Sequence, residues 1–191
     1  MTCKQNKRAT NSVVKAHRRS MAGFTTLQLT IGLAVVALAV AGAIAGMQKM
    51  EQAKANDELS ELGDLKLQVA QYAATRGGDF TGVNTSLCAN YFFDKSRYSG
   101  SGASTTIQNR WKGTITCAPA TSVSANDSLA FTYTGVPTYA CKRIMQMVKA
   151  EIITIGGTSV KALGGNVNEA TAITQCDAGN DNATIVYTFA R

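Results

Sequence analysis

The sequence has almost no imidazole and little proline or charge. Its one histidine, His17, lies within the first 23 residues, so the rest of the chain offers no Ser-His-Asp, Cys-His or histidine–zinc site. Charged residues make up 16% of the chain, against about 25% in typical soluble proteins, which argues against a coiled coil or a disordered protein. The chain has neither a CxxC pair nor a phosphate-binding glycine motif. We therefore expect no enzyme, no cofactor and no metal.

The net charge of +7 is concentrated at one end of the chain. Six cations and no acid precede Gly23, whereas the remaining 13 lysines and arginines are balanced by all 12 acids. Because the excess positive charge lies in a short leader and is not spread over a surface of the folded protein, we predict no nucleic-acid binding.

The longest uncharged stretch runs from Ser20 to Gln48 and covers 29 residues. As a helix it would extend about 43 Å, enough to cross a bilayer core of about 30 Å. The basic leader before it places the N-terminus in the cytoplasm and the rest of the chain outside. Three interpretations remain open: a stable membrane anchor, a secretory signal cleaved after Ala43-Ile44-Ala45, or a prepilin signal whose apolar part is retained.

An amphipathic pattern follows the apolar stretch without interruption. Leu59, Leu62, Leu65, Val69 and Tyr72 recur every three or four residues, and the pattern stops at Gly77-Gly78, a typical helix cap. Acids occupy the other positions, and we interpret them as a solvated helix face: Asp57, Glu58, Glu61 and Asp64. One helix from about Phe24 to Arg76 would extend about 80 Å. An ordinary signal peptide would not continue into such a helix.

At this point the chain resembles a type IV pilin. The resemblance rests on the basic leader ending in Gly23, the following Phe24-Thr25-Thr26-Leu27-Gln28, and the apolar half-helix. It implies that prepilin peptidase cleaves between Gly23 and Phe24 and that Phe24 is then N-methylated. The leader length, four cysteines outside the leader and the C-terminal Ile185–Phe189 pattern are most similar to type IVb pilins of the PilS group of conjugative thin pili.

One residue departs from the family pattern. Most members have glutamate as the fifth mature residue, where this chain has Gln28. An amide can still accept a hydrogen bond, with weaker attraction to a neighbouring N-terminus and a smaller cost of burial. Two consequences stay open: a major pilin with neutral register pairing, or a minor subunit.

The part of the chain beyond Gly78 is rich in glycine, serine, threonine and short β-prone runs. We predict a long loop over 79–109 with a short helix near Tyr91-Phe92-Phe93, a helix over 139–150, and a hairpin at Gly156-Gly157. Strands are predicted at 112–117, 129–134, 151–155, 158–163 and 183–189. The predicted fold is α+β, with an antiparallel sheet laid on the N-terminal helix.

Five cysteines become four once the leader, which contains Cys3, is removed. An even number in an exported protein predicts two disulfides. Four cysteines allow three pairings, and the resemblance favours Cys88–Cys117 with Cys141–Cys176.

Two smaller signals have structural interpretations. The group Asp177, Asn180, Asp181 and Asn182 has oxygens suited to Ca²⁺ but is typical of turns. Tyr91, Phe92, Phe93 and Trp111 are expected to anchor the loop against the sheet.

The resemblance divides the chain into a cleaved leader (1–23), an apolar membrane and filament-core half-helix (24–50), an amphipathic half-helix (51–77) and a disulfide-braced head (78–191). It implies a precursor in the bacterial inner membrane, partnership with prepilin peptidase and the assembly machinery, and self-assembly into a surface pilus used in conjugation or adhesion. Helix packing would use Gly42, Ala45 and Gly46, and Gln28 would set register. The alternative is a minor pilin, a pseudopilin, or an anchored or secreted binding module.

Overall fold

The computed structural model describes the backbone of residues 26–190 and the side chains of residues 49–190. The chain divides into two compact units, Met1–Ala43 and Ile44–Arg191. All packing described below belongs to the second unit.

Helix α1 runs from Thr26 to Thr75. Its last turn ends as the sequence predicts: Gly77 and Gly78 have φ of 66° and 81°, and the Gly78 amide donates to the Ala73 carbonyl at 2.8 Å. Bonds of this kind satisfy carbonyls that have no partner within the helix, and glycine adopts the left-handed conformation without steric cost.

Seven antiparallel strands form one sheet in the order β1-β2-β3-β4-β7-β5-β6. Their bounds are β1 Tyr98–Ser99, β2 Thr106–Gln108, β3 Thr114–Ala120, β4 Ser128–Val136, β5 Ile152–Ile155, β6 Thr158–Lys161 and β7 Ala183–Ala190. The helices of the head are α2 Thr85–Phe92, the 3-10 helix Gly102–Ser104, α3 Thr138–Met145 and α4 Glu169–Ala178. The predicted α+β fold is thereby confirmed.

Three elements differ from the sequence prediction. The predicted loop over 79–109 contains two short strands, and the short helix predicted near Tyr91-Phe92-Phe93 is α2, which begins earlier, at Thr85. Helix α3 ends at Met145, short of the predicted residue 150, and helix α4 was not predicted. The hairpin was correct: Gly156 and Gly157 have φ of 56° and 83°, the two positive values that a type I′ turn requires.

The core lies between α1 and the sheet. Leu62, Leu65 and Val69 of α1 are at most 1% exposed, and on the sheet Phe131 of β4 and Phe189 of β7 are equally buried. Burying such side chains contributes about 1.5–3 kcal/mol each. The packing of this apolar stripe on the sheet fixes the second half of α1 on the head.

Candidate functional site

The predicted processing and assembly residues fall largely outside the described part of the chain. Gly23 and Phe24 lie outside the described residues. Gln28, Gly42, Ala45 and Gly46 lie in α1, but their side chains are not among those described. Across the part of the chain that the structure describes, no helix qualifies as a membrane span, and the predicted 20–48 span lies outside the described side chains. The roles of these residues remain predictions.

The head contains two disulfides, Cys88–Cys117 and Cys141–Cys176. These are the pairs that the resemblance favours. The first joins α2 to β3, and the second joins α3 to α4. All four cysteines are buried, with at most 4% exposure.

A partly buried cluster of two glutamates and two arginines links α1 to the residues that lead into β1 and β3. Arg97 Nη2 donates to Glu58 Oε1 and Oε2 at 3.2 and 3.3 Å, and Arg97 Nη1 also pairs with Glu61. The Arg110 backbone amide donates to Glu58 Oε2 at 3.1 Å, and the Arg110 guanidinium donates to Glu61 at 3.3 Å. We call these four residues the brace.

The prediction of a solvated acidic face on α1 is wrong for two of its four residues. Glu58 is 0% exposed, and the Glu61 side chain is 20% exposed. Glu58 occupies a position of the apolar stripe, three residues after Ala55 and four before Leu62. Its neighbour Asp57, with a side chain 61% exposed, fits the solvated face. The acid in the stripe tolerates burial because guanidinium and amide groups surround it.

Burial raises the pKa of Glu58 above its usual value. The positive charge of Arg97 acts against this change, the negative charge of Glu61 reinforces it, and the Arg110 amide again favours the ionised form. Burial also raises the pKa of Tyr133 and Tyr187 on the adjacent sheet well above 10, and the Glu58 charge adds to that effect. Burial therefore disfavours the ionised form of Glu58, and its guanidinium and amide neighbours offset only part of that cost.

A tight turn between β2 and β3 is held by one buried side chain. Asn109 is 5% exposed; its Oδ1 accepts from the Trp111 and Gly113 amides at 2.9 Å, and its Nδ2 donates to the Thr134 carbonyl at 2.7 Å. A Cβ on Gly113 would lie 1.8 Å from that carbonyl oxygen, so only glycine fits. The turn thereby fixes the backbone on either side of Lys112, which itself has a φ of 67°.

This turn forms one wall of a cleft of about 900 Å³. Glu51 and Lys54 of α1 line the cleft, together with Trp111, Lys112 and Tyr139. The indole N–H of Trp111 donates to Glu51 Oε2 at 2.9 Å, which orients the ring against the helix. Trp111 was expected to anchor the loop against the sheet, but its indole hydrogen bond goes to helix α1, at the edge of an open cleft.

The aromatic triplet divides into anchors and an exposed ring. Phe92 and Phe93 are 6% and 8% exposed and pack edge-on against Phe131, as expected. Tyr91 is 57% exposed, although its ring contacts Tyr72 at a centroid distance of 5.3 Å.

The Asx-rich group after Cys176 makes structural contacts. Asp177 lies in α4 and pairs with Lys142 of α3 at 2.5 Å. Asp181 Oδ1 accepts from the Thr138 amide at 2.9 Å. Within the described residues, no group of histidines, cysteines and acids is arranged to hold a metal.

A long helix lying on an antiparallel sheet with two disulfides defines a pilin fold. Two solved structures share it: the type IVb pilin from Salmonella typhi (23% identity, TM-score 0.51, covering 69% of this chain and 99% of that one) and TcpA, a type IV pilin from the Vibrio cholerae El Tor biotype (12% identity, TM-score 0.51, covering 72% and 99%). No curated protein sequence matches significantly.

The family follows from the sequence itself. The family model described as PilS N terminal matches residues 52–190, and the chain belongs to the PilS family of type IV pilins. Its members are structural, non-enzymatic subunits, as the sequence analysis predicted.

Proposed function

We propose that the chain is a type IVb prepilin that is inserted in the inner membrane, cleaved after Gly23 and polymerised through its N-terminal helix into a surface pilus. The observation that carries the proposal is the continuity of the uncharged 20–48 stretch with a helix whose second half packs on a PilS-type head. The two pilin structures with the same fold support it.

In this proposal each segment has its own role. The leader (1–23) is removed, residues 24–50 span the membrane and later form the filament core, residues 51–77 connect them to the head, and residues 78–191 form the pilus surface. Packing at Gly42, Ala45 and Gly46 lets neighbouring helices approach closely because these side chains are small. The exposed heads serve attachment or contact between mating cells.

Substitution at the leader junction tests the proposal. In cells with a prepilin peptidase, Gly23→Ala should leave most of the chain at precursor size, whereas the matched glycine substitution Gly63→Ala, at a site with open space around it, should be processed normally. Mass spectrometry of the wild-type N-terminus should find methylated Phe24. An N-terminus at Gly46 would mean ordinary secretion, an intact Met1 would mean a simple anchor, and either result contradicts the proposal.

The presence of Gln28 favours a second candidate, a minor subunit outside the repeating body of the filament. A buried glutamate would gain a strong ion pair with a neighbouring N-terminal ammonium, and the amide does not. Electron microscopy of cells that lack this protein separates the two: loss of all filaments indicates the major subunit, and persistence of filaments indicates a minor one.

A further inference from the structure

The cleft beside Trp111 lies close to the end of the uncharged stretch. That stretch ends at Gln48, and the helix residues that line the cleft begin at Glu51 and end at Lys54. At 1.5 Å per residue they lie about 5–9 Å further along the helix. The headgroup layer on each side of a bilayer is about 5–8 Å thick. If the uncharged stretch spans a membrane, the cleft lies at headgroup level.

The side chains around the cleft are of the types that favour this position. Trp111 and Tyr139 are aromatic, and Tyr139 is 44% exposed. Tryptophan and tyrosine are enriched where hydrocarbon meets water, because one part of each ring is apolar and another is polar. Lys54, Arg110 and Lys112 add three cations to the same cleft. Lysine and arginine are attracted to anionic lipid surfaces.

The cations differ in whether they have protein partners. Lys54 pairs with Glu51 at 2.7 Å and Arg110 with Glu61 at 3.3 Å. Among the residues that the structure describes, no ion pair involves Lys112, which is exposed. The acids of the cleft already have partners: Glu51 binds Lys54 and the indole, and Asp181 accepts the Thr138 amide. A negative ligand therefore meets an available cation beside an aromatic wall.

We propose that this cleft binds the headgroup of an anionic phospholipid while the subunit waits in the membrane. The phosphate contacts Lys112, and Trp111 and Tyr139 lie against the glycerol and the first acyl carbons. The Asn109 turn and the Glu51–indole hydrogen bond hold this wall in place before the lipid arrives. The inference rests on the membrane stage of the proposed function, and the experiment below separates the two.

Trp111 is the only tryptophan of the chain and reports on the cleft directly. The full chain would be reconstituted in phosphatidylcholine vesicles containing phosphatidylglycerol, with bromine at shallow acyl positions on one lipid or the other at equal mole fraction. We expect brominated phosphatidylglycerol to quench Trp111 more strongly than brominated phosphatidylcholine. Raising the salt concentration should remove the difference, because it screens the charge interaction.

A matched pair of variants tests the role of the cation. Lys112→Asn removes the charge and retains a residue that tolerates positive φ, so the preference for phosphatidylglycerol should fall about fivefold, the effect of one cation near an anionic surface. Lys95→Asn, at another exposed lysine, should leave it unchanged. A chain that floats with the vesicles but whose Trp111 shows no lipid quenching, or no preference between the lipids, overturns the headgroup site alone. A chain that does not float overturns the membrane stage and the site together.

Discussion

Removing Arg97 from the brace should leave a buried acid without its main partner. The Glu58 side chain is 1% exposed and that of Arg97 is 12% exposed, so solvent does not replace the lost interaction. Breaking one partner of a buried ion pair costs about 3–5 kcal/mol. For Arg97→Met we expect a loss of stability at the lower end of this range, about 3 kcal/mol, because the Arg110 amide still donates a hydrogen bond to Glu58.

We therefore expect Arg97→Met to lower the midpoint of thermal unfolding by about 10 °C, taking about 2–4 °C per kcal/mol for a domain of this size. The measurement is circular dichroism of the full chain in detergent micelles. The matched control is Lys54→Ala, which breaks an exposed ion pair with Glu51. Such pairs contribute less than about 1 kcal/mol, so the control should shift the midpoint by less than about 4 °C.

The pH dependence gives the experiment a second, independent result. Because the pKa of Glu58 is raised in the folded state, the native state binds this proton at a pH at which the unfolded chain has lost it. Stability from this group is therefore full below the unfolded pKa and declines as the pH rises through the folded one. Without Arg97 the folded pKa rises further, so the loss in Arg97→Met should be larger at pH 7.5 than at pH 5. A variant as stable as wild type at both pH values would refute the argument.

Three further outcomes concern the stability of the folded chain. Gly63→Ala, at a helical site with nothing within 4 Å of the added Cβ, should stabilise the protein by about 1 kcal/mol. Gly113→Ala should destabilise it by more than about 2 kcal/mol, because the added Cβ forces apart the Asn109 turn. Equal unfolding midpoints in urea for the two variants and wild type would contradict both expectations. Hydrogen bonds from the Ser122 amide and then the Ser124 amide hold the pKa of Asp127 at about 2, so the stability it contributes is present above the unfolded-state pKa of about 3.9 and is lost as the pH falls through about 2. Asp127→Asn should therefore be less stable than wild type at pH 7, and the difference in stability should close on acidification. A difference that does not change with pH would count against this. Replacing Cys141 and Cys176 together by serine should cost about 3–4 kcal/mol, since the bridge closes a loop with a sequence separation of 35, and unchanged resistance to protease would argue otherwise.

The parts of the fold that sequence predicted have strong local signals. The second half of α1 shows a regular apolar stripe and ends at two glycines, and the hairpin is defined by Gly156-Gly157 alone. Strands β3, β4 and β7 begin within two residues of their predicted starts. In each case neighbours in the sequence determine the conformation.

Helices α2 and α4 were missed or misplaced because their apolar signal is weak. Of the ten residues of α4, only Ala172 and Cys176 are buried. A usable signal was present at their first turns: Asn84 Oδ1 accepts from the Leu87 amide at 3.0 Å, and Asn168 Oδ1 accepts from the Thr171 amide at 3.1 Å. Asparagine is among the best N-cap residues. Capping would have located both helices where periodicity did not.

The brace was beyond prediction for a different reason. The position of Glu58 on α1 can be seen in the sequence, because it falls in the apolar stripe between Ala55 and Leu62. Whether an acid at such a position is buried depends on a partner, and Arg97 lies 39 residues away on the far side of α2. Sequence pattern alone carries no information about that pairing, and so the solvated interpretation failed at Glu58 and Glu61.

Two parts of the head are thus held by different means. The segment leading to β3 is joined to α1 by the brace, whose strength depends on protonation, and α4 is joined to α3 by a disulfide and the Lys142–Asp177 pair. A helix that buries only one alanine and one cysteine gains too little from apolar burial to fix its position, because ordering each residue costs about 1–2 kcal/mol. The covalent bond supplies the constraint, so the packing of α4 on α3 is expected to fail on reduction, whereas the joint with α1 is expected to weaken as the pH rises.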